Sequence, residues 1–255
     1  MRILLSNDDG VDSPGLAALR AAVDDMGEVR VVAPAVPQSA AGHAITLRES
    51  LLVRPARIGP GGQFEAACVT GRPADCVRLA IRQLLDWPPE LVLSGINAGA
   101  NVGVNVFYSG TVAAAAEAAM LGIPAVALSA ELAEPPPDWP AIAACCRRVL
   151  DHLLAAGLAA GDLINVNLPA RPEGPRGVRV ARQSTAGLED TYHRADDASG
   201  TEGYRLADEY AFRHSPEDTD VAALAEGFVT VTPLHVDMTN HDRLAALSRL
   251  RWQHP

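Results

Sequence analysis

The chain has 255 residues, 48% of them hydrophobic and 20% charged, which is enough apolar material for one buried core and excludes a wholly disordered chain. Its 21 cationic residues stand against 31 acidic ones, and the net charge of −10 disfavours a nucleic acid polymer or an anionic membrane as partner. Every permanently cationic side chain is Arg, so the lysine of a P-loop and that of a Schiff-base enzyme are both excluded.

In chain order, residues 2–6 read as a short buried strand, followed by the turn Asn7-Asp8-Asp9-Gly10. Ser13-Pro14 opens a helix, with Ser as cap and Pro at the first helical position. Its apolar face is Leu16, Leu19, Ala22, Val23 and Met26, and Gly27 stops it. A strand at 29–33 completes a βαβ start, which implies a parallel sheet with a right-handed crossover. Residues 46–54 and 64–69 are expected to form a hairpin across Gly59-Pro60-Gly61-Gly62. A helix at 73–86, a strand at 91–94 and a Gly- and Asn-rich loop at 95–108 come next. The helix at 111–121 is rich in Ala and narrow enough to lie close on a sheet, and a strand at 125–128, a helix at 139–156 and a strand at 163–168 follow it.

After Pro169 the character changes. A strand is expected at 178–183, but 184–216 is polar, charged and weakly periodic, too long for an ordinary loop and better read as a protruding arm. It carries Tyr192, Tyr204, Leu206, Tyr210 and Phe212, rings and apolar groups that suit an oligomer interface. A flap over the active site is the other reading, and one arm can serve both purposes. A short helix at 220–226, a strand at 228–232 ended by Pro233 and able to brace the arm, and a closing helix at 240–251 complete the chain. We therefore expect a single domain over 1–255, with an α/β core at 1–177, an arm and returning strand at 178–236, and a terminal helix in 237–255.

Cys68, Cys76, Cys145 and Cys146 form no CxxC pair and read as reduced, mostly buried residues. The N-terminus lacks the apolar region and cleavage site of a signal peptide, and no apolar run approaches the ~20 residues of a membrane span. A cytoplasmic protein with no membrane partner is expected.

Ligands of open α/β sheets bind beyond the carboxyl ends of the strands. Three polar clusters fall there: Asn7-Asp8-Asp9-Gly10; Gln38-Ser39; and Ser94-Gly95-Ile96-Asn97 with Asn101 and Asn105. Adjacent carboxylates repel unless a cation or a shared proton compensates, and oxygen donors suit Mg²⁺ or Mn²⁺ better than Zn²⁺. An Asp-Asp-Gly sequence is also a common turn. Ser109-Gly110-Thr111 enters the Ala-rich helix, where backbone N–H groups and two hydroxyls make a phosphate cradle or an ordinary cap. His43 is a candidate proton donor, or a structural or solvated loop histidine. Glu117 reads as a solvated or paired charge. Gly95, Gly99 and Gly103 do not make a dinucleotide fingerprint, which argues against an oxidoreductase.

Taken together, Asn7-Asp8-Asp9-Gly10, Ser39 with Gly42-His43-Ala44-Ile45-Thr46, Thr70-Gly71-Arg72-Pro73-Ala74-Asp75-Cys76-Val77, Ser94-Gly95-Ile96-Asn97-Ala98-Gly99-Ala100-Asn101, Ser109-Gly110-Thr111-Val112 and Glu226-Gly227-Phe228-Val229-Thr230-Val231-Thr232-Pro233-Leu234 resemble the SurE (stationary-phase survival protein) 5′/3′-nucleotidases. The resemblance implies a Rossmann-like, three-layer α/β core with a mainly parallel sheet and a C-terminal arm used for oligomerisation, as a homodimer or homotetramer. It implies one divalent metal ion per subunit, Mg²⁺ or Mn²⁺, on Asp8, Asp9, Ser39 and Asn97. It also implies hydrolysis of nucleoside 5′- and 3′-monophosphates, with exopolyphosphatase activity in some members. The expected catalytic residues are Asp9, which orients or deprotonates the attacking water, and Asp8. Asn101, Ser109, Gly110, Thr111 and His43 are the expected phosphate and substrate contacts. A nucleotide-binding regulatory module without turnover is the competing reading. The segment Ala35-Val36-Pro37-Gln38 departs from the Asp and basic residues that many members carry before the ligand Ser.

Overall fold

The structure, a computed structural model, describes residues 1–132, 134, 137–171, 173–196, 200–207, 211–212 and 214–251. Tyr210, counted above among the residues of the arm, lies outside the described residues.

Strand β1 (Arg2–Ser6) alternates its side chains between the two faces of the sheet. Ile3 and Leu5 join Leu16 and Leu19 of α1 (Pro14–Ala22) and Cys146, Val149 and Leu150 of α4 (Trp139–Ala156). Leu4 points the other way, among Cys76 and Val77 of α2 (Pro73–Leu79) and the alanines of α3 (Gly110–Met120). One strand thus feeds two cores, which makes a three-layer α/β sandwich. In α3 every residue from Gly110 to Ala119 is buried, because its small side chains let the helix lie close on the sheet.

The remaining main-sheet strands are β2 (Glu28–Pro34), β3 (Val53–Ile58), β4 (Phe64–Val69), β5 (Leu91–Ala98), β6 (Ala125–Ala130), β7 (Leu163–Leu168) and β8 (Val178–Val180). The arm adds β9 (Leu188–Glu189), β10 (Tyr192–Arg194), β11 (Tyr204–Leu206) and β12 (Ala211–Phe212). Helix α5 (Asp220–Ala225), strand β13 (Val229–Leu234) and helix α6 (His241–Leu247) follow. The main sheet runs β3-β4-β2-β1-β5-β6-β7-β13-β8. From β4 to β7 all neighbours are parallel, while β3 and β13 run antiparallel to β4 and β7. The order reverses between β1 and β5, and this switch point opens the crevice in which the chemistry sits.

Several expected boundaries move. The hairpin pairs residues 53–58 rather than 46–54 with β4. Thr46 is instead held by Asp75, whose carboxylate accepts its backbone N–H at 3.0 Å and its hydroxyl at 2.7 Å. Pro55 is tolerated because β3 is an edge strand. The helix at 73–86 ends as an α-helix at Leu79 and widens into a π-type turn over Ala80–Leu84. Strand β5 runs on to Ala98, with a shift of register between Ser94 and Asn97, so part of the expected loop is strand. Pro233 lies inside β13 rather than ending it. β8 accompanies β13 only to Val231, so one edge is open at the proline. β13 braces β7 and β8 of the main sheet, not the arm. The arm between them folds as two small ribbons, β10-β11 and β12-β9.

Candidate active site

The turn after β1 is built by its own side chains. Asn7 Nδ2 donates to the Gly10 carbonyl at 2.9 Å and to Ser13 Oγ at 2.7 Å, so Ser13 ties the turn to α1 instead of capping the helix with its side chain. The Asp8 carbonyl accepts from the Gln38 N–H at 2.8 Å, which fastens the loop carrying Ser39 to the Asp8-Asp9 turn. Asp9 Oδ2 accepts from the Ala98 N–H at 2.9 Å, which fastens the same turn to the end of β5.

Asp8 accepts a short hydrogen bond from the Thr111 hydroxyl at the start of α3. Gly110 makes that approach feasible: a Cβ there would stand 2.7 Å from Asp8 Cβ and 3.0 Å from Pro73 Cγ. Burial pushes the Asp8 carboxyl up to about 6; the Thr111 hydrogen bond opposes this and the neighbouring Asp9 charge adds to it. Burial also raises Asp9, against the hydrogen bond from Ala98.

Asp8, Asp9, Ser39, Asn97, Asn101 and Ser109 all line one cavity of about 470 Å³. The three separate polar clusters of the sequence therefore share one rim. Thr111 is fully buried and spends its hydroxyl on Asp8, and Gly110 packs against the same side chain; neither is part of the cavity wall. Ser109 Oγ accepts from the Val112 N–H at 3.1 Å as the cap of α3, while its residue lines the cavity. His43 is not in the wall: its Nε2 lies 3.0 Å from Glu117 Oε2. Glu117 is 1% exposed and also accepts from Arg78 Nε at 2.7 Å. Burial raises its carboxyl, but the hydrogen bonds from His43 and Arg78 outweigh this and hold it below the usual range.

Some contributors escape the sequence reading. Asn167 Oδ1 accepts from the Asn101 N–H at 2.7 Å, and Asn165 Nδ2 donates to the Asn101 carbonyl at 2.7 Å. Asn101 Nδ2 in turn donates to Ser129 Oγ at 2.9 Å. Two β7 side chains thus clamp the cavity loop by its backbone. The signal was available as two amides alternating with apolar residues in a fully buried strand. Asp220 of α5 holds the next stretch, accepting from the Gly103 and Ser184 N–H groups at 2.9 and 2.8 Å. Leu188, Asp190, Tyr192 and Leu206 of the arm also line the cavity, a contact that no local pattern announces.

Among the described residues lining the cavity, Asp8, Asp9 and Asp190 are acidic and none is cationic. No group of three or more His, Cys, Asp or Glu among the described residues is placed to hold a metal, so a cation here would need the oxygens of Ser39 and Asn97 beside the carboxylate pair. Such a set of hard oxygen donors fits Mg²⁺ or Mn²⁺.

Fold and cavity define an α/β protein with an oxygen-lined, acidic cleft at the switch point of its sheet. Residues 3–190 match the family model described as Survival protein SurE. A protein of Syntrophobacter fumaroxidans named 5′-nucleotidase SurE is 43% identical over 98% of this chain and 99% of its own length. One of Chloroflexus aggregans with the same name is 42% identical over 99% and 100%. The crystal structure of the SurE protein from Aquifex aeolicus superposes with a TM-score of 0.81 at 38% identity, covering 97% of this chain and 98% of that one. The chain belongs to the SurE family.

Proposed function

We propose that this chain is a metal-dependent phosphomonoesterase that hydrolyses nucleoside 5′-monophosphates to nucleoside and phosphate, and 3′-monophosphates at the same site. The observation that carries the reading is the adjacent pair of Asp8, buried, and Asp9, half-buried, in a cavity whose described lining residues include no cationic side chain, with the Asp8 carboxyl pushed up to about 6. An ionised pair with an anionic phosphate beside it calls for a compensating positive charge. The names of the relatives support the nucleotide part of the reading.

Asp8, Asp9, Ser39 and Asn97 would hold the divalent ion, which when bound supplies Lewis acidity and offsets the charge of the phosphate. With Oδ2 engaged by the Ala98 N–H, Asp9 keeps its other oxygen to orient an attacking water and accept its proton. Thr111 fixes Asp8 through its hydroxyl and so acts as a positioning residue. Ser109, which lines the cavity at the start of α3, is suited to hold a phosphoryl oxygen as negative charge builds on it. His43 is better assigned to supporting the Ser39 loop from Glu117 than to phosphate contact.

Self-association as a homodimer or homotetramer through the arm also belongs to this reading, supported by the exposed side chains Val180 and Tyr204 of the arm region and by Met238, Leu244 and Leu250 after it. Light scattering at micromolar concentration is expected to give at least a dimer, and a monomer would refute it. For the activity, phosphate release from adenosine 5′-monophosphate should fall by at least about 10²-fold in Asp9→Asn with melting preserved. Near-normal turnover in that variant would reduce the pair to turn residues.

A further inference from the structure

The cavity has two unlike sides. One is the oxygen-rich rim of Asp8, Asp9, Ser39 and Asn97. The other is built by the arm and by Tyr108, and no phosphate chemistry needs it. Tyr192 and Leu206 stand directly opposite each other in the β10-β11 ribbon, so both side chains leave the same face, the one that lines the cavity. Tyr192 is 61% exposed and Tyr108 58% exposed, although both belong to the cavity wall. Rings left this open beside a polar site retain free faces for a flat apolar group. Asp190, in the same wall, offers a carboxylate acceptor.

The ribbon is not placed there by chance contact. Its root is fastened to the core at Gly103, whose carbonyl accepts from Gln183 Nε2 at 2.8 Å. Phe212 closes on the same residue: a Cβ at Gly103 would meet Phe212 Cε1 at 2.9 Å. Gly103 follows directly on the clamped Asn101-Val102 loop, so arm and rim share one anchorage.

We propose that this arm wall is the nucleoside subsite: Tyr192, with Tyr108, supplies stacking faces for the base, and Asp190 accepts hydrogen bonds from the sugar hydroxyls or base amino groups. This rests on the phosphomonoesterase reading of the rim. Stacking tolerates any base, because every base has a π-face, so the wall selects nucleosides over bare sugar phosphates without selecting among bases.

The test compares kcat/KM for adenosine 5′-monophosphate and ribose 5-phosphate in the wild type, Tyr192→Ala and Tyr192→Phe. The ratio of the two is expected to fall about 10–100-fold in Tyr192→Ala and to recover in Tyr192→Phe. An unchanged ratio, or equal losses on both substrates, would overturn the assignment. Calorimetric titration with adenosine, which needs no turnover, decides the matter separately. Weaker binding in Tyr192→Ala than in the wild type supports the subsite, and equal or absent binding in both overturns it. Failure to release phosphate from either substrate in the wild type would instead count against the phosphatase reading of the rim.

Discussion

Asp8→Asn should make the metal-free protein more stable while it removes activity. The wild-type carboxyl is 6% exposed, faces Asp9 and has Thr111 as its side-chain donor. Its rise from 3.8 to about 6 corresponds to about 3 kcal/mol of destabilisation once ionised, at about 1.4 kcal/mol per pH unit. The sign follows from linkage. A carboxyl whose folded pKa is raised binds its proton more tightly when folded, so its penalty is absent below 3.8, develops between 3.8 and about 6, and is complete above 6. Asparagine is neutral throughout and its side-chain oxygen can still accept from Thr111. Urea denaturation in excess chelator at pH 7.5 should therefore show a gain approaching about 3 kcal/mol, shrinking toward zero near pH 4. Mn²⁺ should stabilise the wild type, by about 2.7 kcal/mol at a hundredfold excess over Kd, and the variant markedly less. A variant no more stable than the wild type in chelator at pH 7.5 would refute the claim that Asp8 is held as a destabilised charge awaiting a cation.

Further outcomes follow from the same geometry. Gly110→Ala would drive a methyl to within 2.7 Å of Asp8 Cβ, so kcat should drop by at least about tenfold, measured as phosphate release; full activity would show that Asp8 has room to move. Glu117→Gln should cost on the order of 1–3 kcal/mol in chemical denaturation at pH 7. Because Glu117 is held below its ordinary 4.5, its contribution is present above that pH and is lost as pH falls through the lower folded value, so the cost should vanish in acid; a pH-independent cost would contradict the pairing with His43 and Arg78. Asn167→Leu unclamps the Asn101 N–H and should lower metal affinity about 10–100-fold through the loop that follows Asn97 at the end of β5, read by calorimetric titration with Mn²⁺; unchanged affinity would confine Asn167 to the core.

What the sequence displayed was mostly local. Helix α4 begins at Trp139 and ends at Ala156, as capping and apolar periodicity require, and β1 and β7 fall where short apolar runs predict them. The rim was legible because strand ends in an open parallel sheet gather ligands, so Asp8, Ser39 and Asn97 could be placed together without coordinates. Residues 46–52 misled because Thr46 gives its N–H and hydroxyl to Asp75, Leu51 packs on the core and Leu47 is exposed, so no ladder forms. Thr111 looked like a phosphate ligand because a helix N-terminus suits anions, but the anion it meets is Asp8. The arm was recognisable as irregular and aromatic. That Tyr192 and Leu206 turn inward to the cavity depends on the register of a short ribbon and its anchorage at Gly103, which no periodicity encodes.

The most direct measurement is inorganic phosphate release from nucleoside 5′-monophosphates by the purified full chain, first in excess chelator and then with Mg²⁺ or Mn²⁺ restored. The site described here predicts no release in chelator and recovery with either ion. Undiminished release in chelator would contradict a cation held at Asp8, Asp9, Ser39 and Asn97. No release with either ion restored would contradict the phosphomonoesterase itself.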